Sequence, residues 1–181
     1  MGLEIDRAGM FGAGDDDPGH PEPLGLVRTE GVKITDLHGE PLTYAALSRA
    51  VEVIGLANEA VSAVILSPRD NGVLDRATDL YGRWLLPPRS LANLPFLDTT
   101  KCAVAEDGTT SIVVGGLPQA MLGIRHEVTI DTSNSAANET GSAFVNYQPW
   151  LRAAARIDWQ LARPAAFAIL INVGPEADAG S

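Results

Sequence analysis

An α+β fold is predicted for this 181-residue chain by three features of its sequence. A helix, a buried strand and a second helix follow one another between Thr43 and Asp79, the order of a mixed core. Two segments, MLGIRHEVTID and LRAAARIDWQL, alternate apolar and polar residues in strict period two, as long strands with one buried face do. SIVVGG and AFAILINV are short apolar runs of the kind that fill central strands.

Taken in order, GLEIDRAGMF places Leu3, Ile5, Ala8, Met10 and Phe11 as the last turns of a helix that stops at Gly12. Gly12 to Gly31 reads as loop, with five glycines and three prolines around a run of acids. VKI is a short strand and HGEP a turn. Thr43 is a good N-cap for YAALSRAVEVIGLANEA, in which Leu47, Ala50, Val51 and Ile54 recur at spacings of three and four. SAVILS suggests a strand buried on both faces. Pro68 then opens PRDNGVLDRATD as a helix capped by Ser67.

YGRWLLPPRS is an irregular arm, because its proline pair disfavours a helix. LPFLDT and SIVVGG are strands on either side of the turn EDGTT. In the first long strand Leu122, Ile124, Val128 and Ile130 share one parity, and Arg125, Glu127, Thr129 and Asp131 the other. In the second, Leu151 to Leu161 alternates in the same way against Arg152, Arg156, Asp158 and Gln160, although its alanines favour helix locally. SNSAANETGS between them is a flexible loop. AFAILINV follows the break at Arg163-Pro164, and PEADAGS is a frayed tail. So few strands cannot build a separate core without a covering layer.

Composition narrows the function. Thirteen basic against 23 acidic residues give −10 at pH 7, which leaves no clustered cations for nucleic-acid phosphates. Sequence-specific nucleic-acid binding is therefore not expected. The apolar runs are far shorter than the ~20 residues of a membrane span, so no membrane partner is expected either. Cys102 is alone, which excludes an intrachain disulfide and a thiolate metal cluster.

The candidates for chemistry are weak. In FGAGDDDPGHPEPLGL the glycines follow helix rather than strand, and Asp15, Asp16 and Asp17 would repel phosphate. The acids are consecutive rather than alternating, unlike a calcium loop. The loop is read as a solvated chain reversal. His20, His38 and His126 do not pair at helical spacing, and Lys-Cys-Ala-Val gives Cys102 no setting that would activate a thiol. No catalytic residue, cofactor or metal is expected. Arg152, Arg156 and Asp158 share one strand face suited to a neighbouring subunit, and Trp84 and Trp150 are large amphipathic anchors of the interface type. These five residues are the candidate intersubunit contacts.

Read in sequence, several of these pieces resemble the C-terminal part of the tailed-phage major capsid protein family, whose fold is named after phage Hong Kong 97. LEIDRAGMFGAG followed by PLGLVRTEGV is similar to the end of that family's spine helix and its Gly-x-Gly…Pro-x-Gly loop. SAVILSPRDNGVLDRATDLYGRWLLPP resembles its strand, proline, helix and Asp-x-x-Gly-x-(Tyr/Trp)-Leu run. LANLPFLDTT, with Asn93 where glycine is usual, and SIVVGGLPQAMLGIRHEVTID match its next strands. FVNYQPWLRAAARIDWQLARPAAFAIL resembles its closing Arg-x-x-x-Arg-x-Asp…Pro-x-Ala-Phe signature.

The resemblance implies a truncated Hong Kong 97-like fold: an axial domain with a central mixed sheet flanked by helices, plus long peripheral-domain strands. Residues 1–30 would be the spine-helix end and Gly/Pro-rich loop of the peripheral domain, and 31–120 mainly the axial domain. Residues 121–173 would carry the long strands and the return to the axial domain, with 174–181 a disordered tail. The family's N-terminal arm, hairpin loop with its crosslinking lysine, and most of the spine helix have no counterpart here. The function implied is a structural capsid subunit, homo-oligomeric in pentamer or hexamer capsomers, with scaffold or portal proteins as further partners. Its expected location is the virion, after the host cytoplasm. Two alternatives remain. An encapsulin-type shell would need a cargo groove built partly from the absent N-terminal segment. A small α+β enzyme or ligand-binding domain would have to use His126 or Cys102.

Overall fold

The computed structural model describes residues 2–14, 22–102, 108–138, 141–145 and 147–176. The acidic run Asp15–Asp17 with His20, most of the turn before Thr110 and the last five residues lie outside the described residues. The chain forms two compact units: Met1–Met121 together with Trp159–Ser181, and Leu122–Asp158.

The larger unit is built on a five-stranded mixed sheet of order β1-β9-β4-β2-β3. Its strands are β1 (Lys33–Asp36), β2 (Ala63–Leu66), β3 (Phe96–Asp98), β4 (Thr110–Gly115) and β9 (Phe167–Val173). β1 runs parallel to β9, and β2 parallel to β3, while β4 is antiparallel to both β9 and β2. The central strands are apolar on both sides because both faces are covered. On one face Val64, Leu66, Ile112, Val114, Ala168 and Leu170 pack with Leu47, Ala50 and Ile54 of α2 (Tyr44–Leu56). On the other, Val113, Phe167 and Ile169 pack with Leu26 and Ala166.

The helix signals act as the sequence predicts, and their stops have local causes. Thr43 Oγ1 accepts the Ala46 N–H at 3.2 Å and opens α2. The helix ends at Leu56 rather than running on to Ala60, because Asn58 adopts a left-handed φ of 58°. Glu59 N–H then donates to Ile54 C=O and Asn58 N–H to Gly55 C=O, closing the last turn in a Schellman motif. Ser67 and Pro68 start α3 (Pro68–Asp75) as expected. It stops four residues short of the predicted end, because the Asp79 carboxylate instead collects the backbone N–H groups of Tyr81 and Arg83.

α1 (Gly2–Phe11) ends where the chain reverses. Gly25 N–H donates to Gly12 C=O at 3.0 Å, Ala13 bridges Leu24, and Glu22 accepts from Ala13 N–H and from the Arg7 guanidinium. Two glycines are required because backbone meets backbone. A Cβ on Gly25 would stand 2.3 Å from the nitrogen of Gly12, and one on Gly12 would stand 2.1 Å from the Pro23 carbonyl oxygen. Neither neighbour is a flexible side chain, so Gly25→Ala should cost about 1–3 kcal/mol. Urea unfolding followed by circular dichroism would measure it. A loss within error of zero would show that the reversal is not closely packed.

The smaller unit contains most of a two-stranded ribbon of β5 (Ala120–Ser133) and β8 (Trp150–Leu161). Both strands form where period two predicts, but the expected burial of one face does not follow. Residues 121–132 of β5 are exposed on both faces. In β8 only Ala155, Ile157, Trp159 and Leu161 of the apolar parity are partly covered, beside the half-buried Trp150. A two-stranded ribbon has no second layer, so alternation fixes which residues share a face without burying them. Within SNSAANETGS, expected as loop, Ala137–Asn138 (β6) and Gly141–Ser142 (β7) pair as a small antiparallel hairpin.

Candidate intersubunit surfaces

The ribbon positions four of the five candidate contacts. Arg152 Nη2 lies 3.1 Å from Asp131 Oδ2, and Thr129 Oγ1 donates to the Ala154 carbonyl at 3.4 Å, so the strands run in opposite directions. Arg152 is thus paired across the ribbon with a carboxylate of its own chain. Such an exposed cross-strand pair contributes only about 0.2–1 kcal/mol. Arg156 and Asp158 are exposed, and Trp150 is half-buried at the start of β8. The opposite face carries Leu122, Ile124, Val128, Ile130 and Leu151, all exposed. Farther along β8, Trp159 belongs to the larger unit and lies against α1. A Cβ on Gly9 would meet its indole ring at 2.4 Å.

The remaining candidate, Trp84, lies on a loop whose neighbours sequence reasoning passed over. From Thr78 to Leu86 the side chains of Leu80, Tyr81, Trp84 and Leu86 are 101, 85, 69 and 85% exposed, and Leu85 is 45% exposed. The signal was in LYGRWLLPP, five large apolar side chains within seven residues that the prolines keep out of a helix. Yet the loop is firmly tied. Thr78 bridges Trp84, Asp79 N–H donates to Arg83 C=O at 2.8 Å, and Leu85 N–H donates to Ala77 C=O at 2.9 Å. Gly82 turns the chain at φ 74°, a conformation that favours glycine. The Asp79 carboxylate accepts from the N–H groups of Tyr81 and Arg83 at 2.8 and 2.9 Å and from Arg83 Nε at 2.8 Å. The Arg83 guanidinium lies 5.5 Å from the centre of the Tyr81 ring.

These donors, the Arg83 N–H foremost, hold the Asp79 carboxyl below the ordinary aspartate range. A folded-state pKa below the unfolded one favours the tied loop above the unfolded value. That preference disappears as pH falls through the folded pKa. In an NMR titration the Asp79 carboxyl should therefore show a midpoint below 3.8. The Tyr81 and Arg83 amides should lose exchange protection over the same interval. A midpoint at or above 3.8 would mean that these hydrogen bonds do not persist in solution.

The groups that an enzyme reading would need are placed otherwise. Cys102 is buried, and desolvation, followed by the negative charge of Asp70, pushes its thiol up to about 12, far from a reactive thiolate. His126 is exposed in the middle of β5. Asp70, buried completely, is held by four side-chain hydrogen bonds and ties α3 to β4. Among the described residues no group of three or more His, Cys, Asp or Glu is gathered as a metal would require. None of the described helices is long and apolar enough to cross a membrane.

The sequence model of the phage capsid family matches residues 1–171. No curated protein matches the chain. Among solved structures, one from Mycobacterium phage Adephagia is 17% identical, with a TM-score of 0.70 over 99% of this chain and 62% of its own. One from Gordonia phage Cozz is 16% identical, with a TM-score of 0.68 over 93% of this chain and 58% of its own. The capsid of a native GTA particle, computed with C5 symmetry, is 16% identical, with a TM-score of 0.66 over 93% and 60%. The chain therefore has the fold of these structures and spans about six tenths of their length.

Proposed function

We infer the role of this chain from its family, for the match over residues 1–171 makes it a member of the phage capsid family. We propose that it is a structural subunit of a phage or prophage capsid, which works by burying surface against copies of itself. The observation that carries this reading is the uncovered ribbon, strands of 14 and 12 residues whose apolar face lies largely in water. A two-stranded ribbon is marginal in isolation, and exposed apolar area of this kind marks a surface that is used. The polar side of the same ribbon, with Arg156 and Asp158, forms the rim of such a contact, and Trp150 its edge.

On this reading residues 31–120 are mainly the axial lobe, while 1–30 and 121–173 are peripheral apart from the return of the last strand. Scaffold or portal proteins are further partners, and the subunit passes from the host cytoplasm into the virion. A net charge of −10 suits a wall that encloses DNA without adhering to it. Light scattering coupled to size exclusion over a wide concentration range tests the proposal. Pentamers, hexamers or larger shells are expected. A chain that stays monomeric at the highest concentration would remove self-association from its function.

A further inference from the structure

We propose that the Thr78–Leu86 loop is the anchor by which one copy of the chain docks head to tail on the next, inserting Tyr81, Trp84 and Leu86 into a different surface of that copy. The inference rests on the capsid-subunit reading and assigns it a contact.

Three observations select a second copy as the occupant. The first is charge. Each copy carries −10, so two copies repel each other except where a contact is locally neutral. The only charged side chains between Thr78 and Leu86 are Asp79 and Arg83, and they are paired with each other at 2.8 Å. Just before the loop, Arg76 is likewise paired with Glu176 at 2.8 Å. The loop is a neutral apolar tip on an acidic protein.

The second is order. The bridge from Thr78 to Trp84, the three bonds to Asp79 and the turn at Gly82 hold the loop in one shape before any partner arrives. Binding therefore does not have to order it, which is the condition under which a small apolar contact becomes effective. The composition agrees: Tyr, Trp and Arg are the residues that dominate contact energies, and here they stand together.

The third is shape. Side chains 69–101% exposed on a tied turn make a protruding knob. A knob that meets its own copy across a two-fold axis makes a contact that closes as a dimer. Closed rings of more than two copies require two different patches that meet head to tail. The knob is one of these patches.

The test is photocrosslinking of the full chain carrying a benzophenone amino acid in place of Tyr81. Above the concentration at which light scattering shows assembly, illumination should join two copies. Peptide mapping should find position 81 attached to a segment outside residues 78–86. Assemblies that form without a crosslink through position 81 overturn the inference and leave the capsid-subunit reading standing, as do crosslinks confined to loop on loop. A chain that never associates overturns both. As a second measure, Trp84→Ser should raise the concentration at half-assembly at least about tenfold, because central aromatic anchors carry that much of an interface. Its melting temperature should stay unchanged, because the ring is exposed. An unchanged assembly midpoint in a folded variant counts against the anchor.

Discussion

Replacing Asp70 by alanine is expected to destabilise the larger unit by about 3–5 kcal/mol, the usual result of removing one partner from a buried charge pair. Asp70 Oδ2 accepts from the hydroxyls of Ser67 and Thr110 at 2.7 and 2.6 Å, and Oδ1 from Arg69 Nε and Nη2 at 3.0 and 2.9 Å. Arg69 in turn donates to the carbonyls of Gly108 and Val173, so a single carboxylate ties α3 to β4 and to the end of β9. Without it a guanidinium and two hydroxyls lose their partner where water reaches them poorly. Denaturant unfolding should show a lower midpoint with an unchanged slope. Asp70→Asn, which keeps an acceptor but not the charge, should lose less. If the alanine variant unfolds within 1 kcal/mol of the parent, this network does not hold the fold.

The second large effect lies where β9 meets β4. Phe167 is fully buried, and its ring stands over Gly115, where a Cβ would come within 2.3 Å of the ring. Phe167→Ala should cost about 3–5 kcal/mol through lost burial and the cavity left behind. Gly115→Ala should cost about 1–3 kcal/mol by overpacking against the same ring. The double variant should lose less than the two single losses added, because the new methyl group enters the space that the ring has vacated. The expected coupling is about 0.5–3 kcal/mol, readable from a double-mutant cycle. Strict additivity would show that ring and glycine do not confront each other across the sheet.

The local code was legible wherever a side chain acts on its own backbone. Thr43, Ser67 and Pro68 start their helices because an oxygen or a fixed φ satisfies the first turn whatever lies elsewhere. Period two located β5 and β8 to within a few residues, and the ordered motifs between residues 3 and 172 were enough to point to the capsid fold. The glycine loop after α1 was read as a chain reversal, and Gly12 and Gly25 meet backbone to backbone there. Helix ends were less legible. Asn58 and Asp79 stopped theirs early through hydrogen bonds that apolar spacing does not encode.

What the sequence by itself determined is the set of elements, their caps and the side each residue takes, because those follow from bonds and steric limits within a few residues. Burial and partnership were decided only in three dimensions. Period two assigned Leu122, Ile124, Val128 and Ile130 to one face, but whether that face is covered depends on what packs over it, and a ribbon of two strands brings no layer of its own. Arg152 was one cation on a strand face until the strand pairing placed Asp131 beside it. Asp70 was one acid among 23 until β4 and β9 closed over it. YGRWLLPP looked like an irregular arm until Asp79 gathered it into a fixed apolar knob. In each case the deciding partner lies across a turn or a sheet, where loop closure and packing set the contact and spacing along the chain does not.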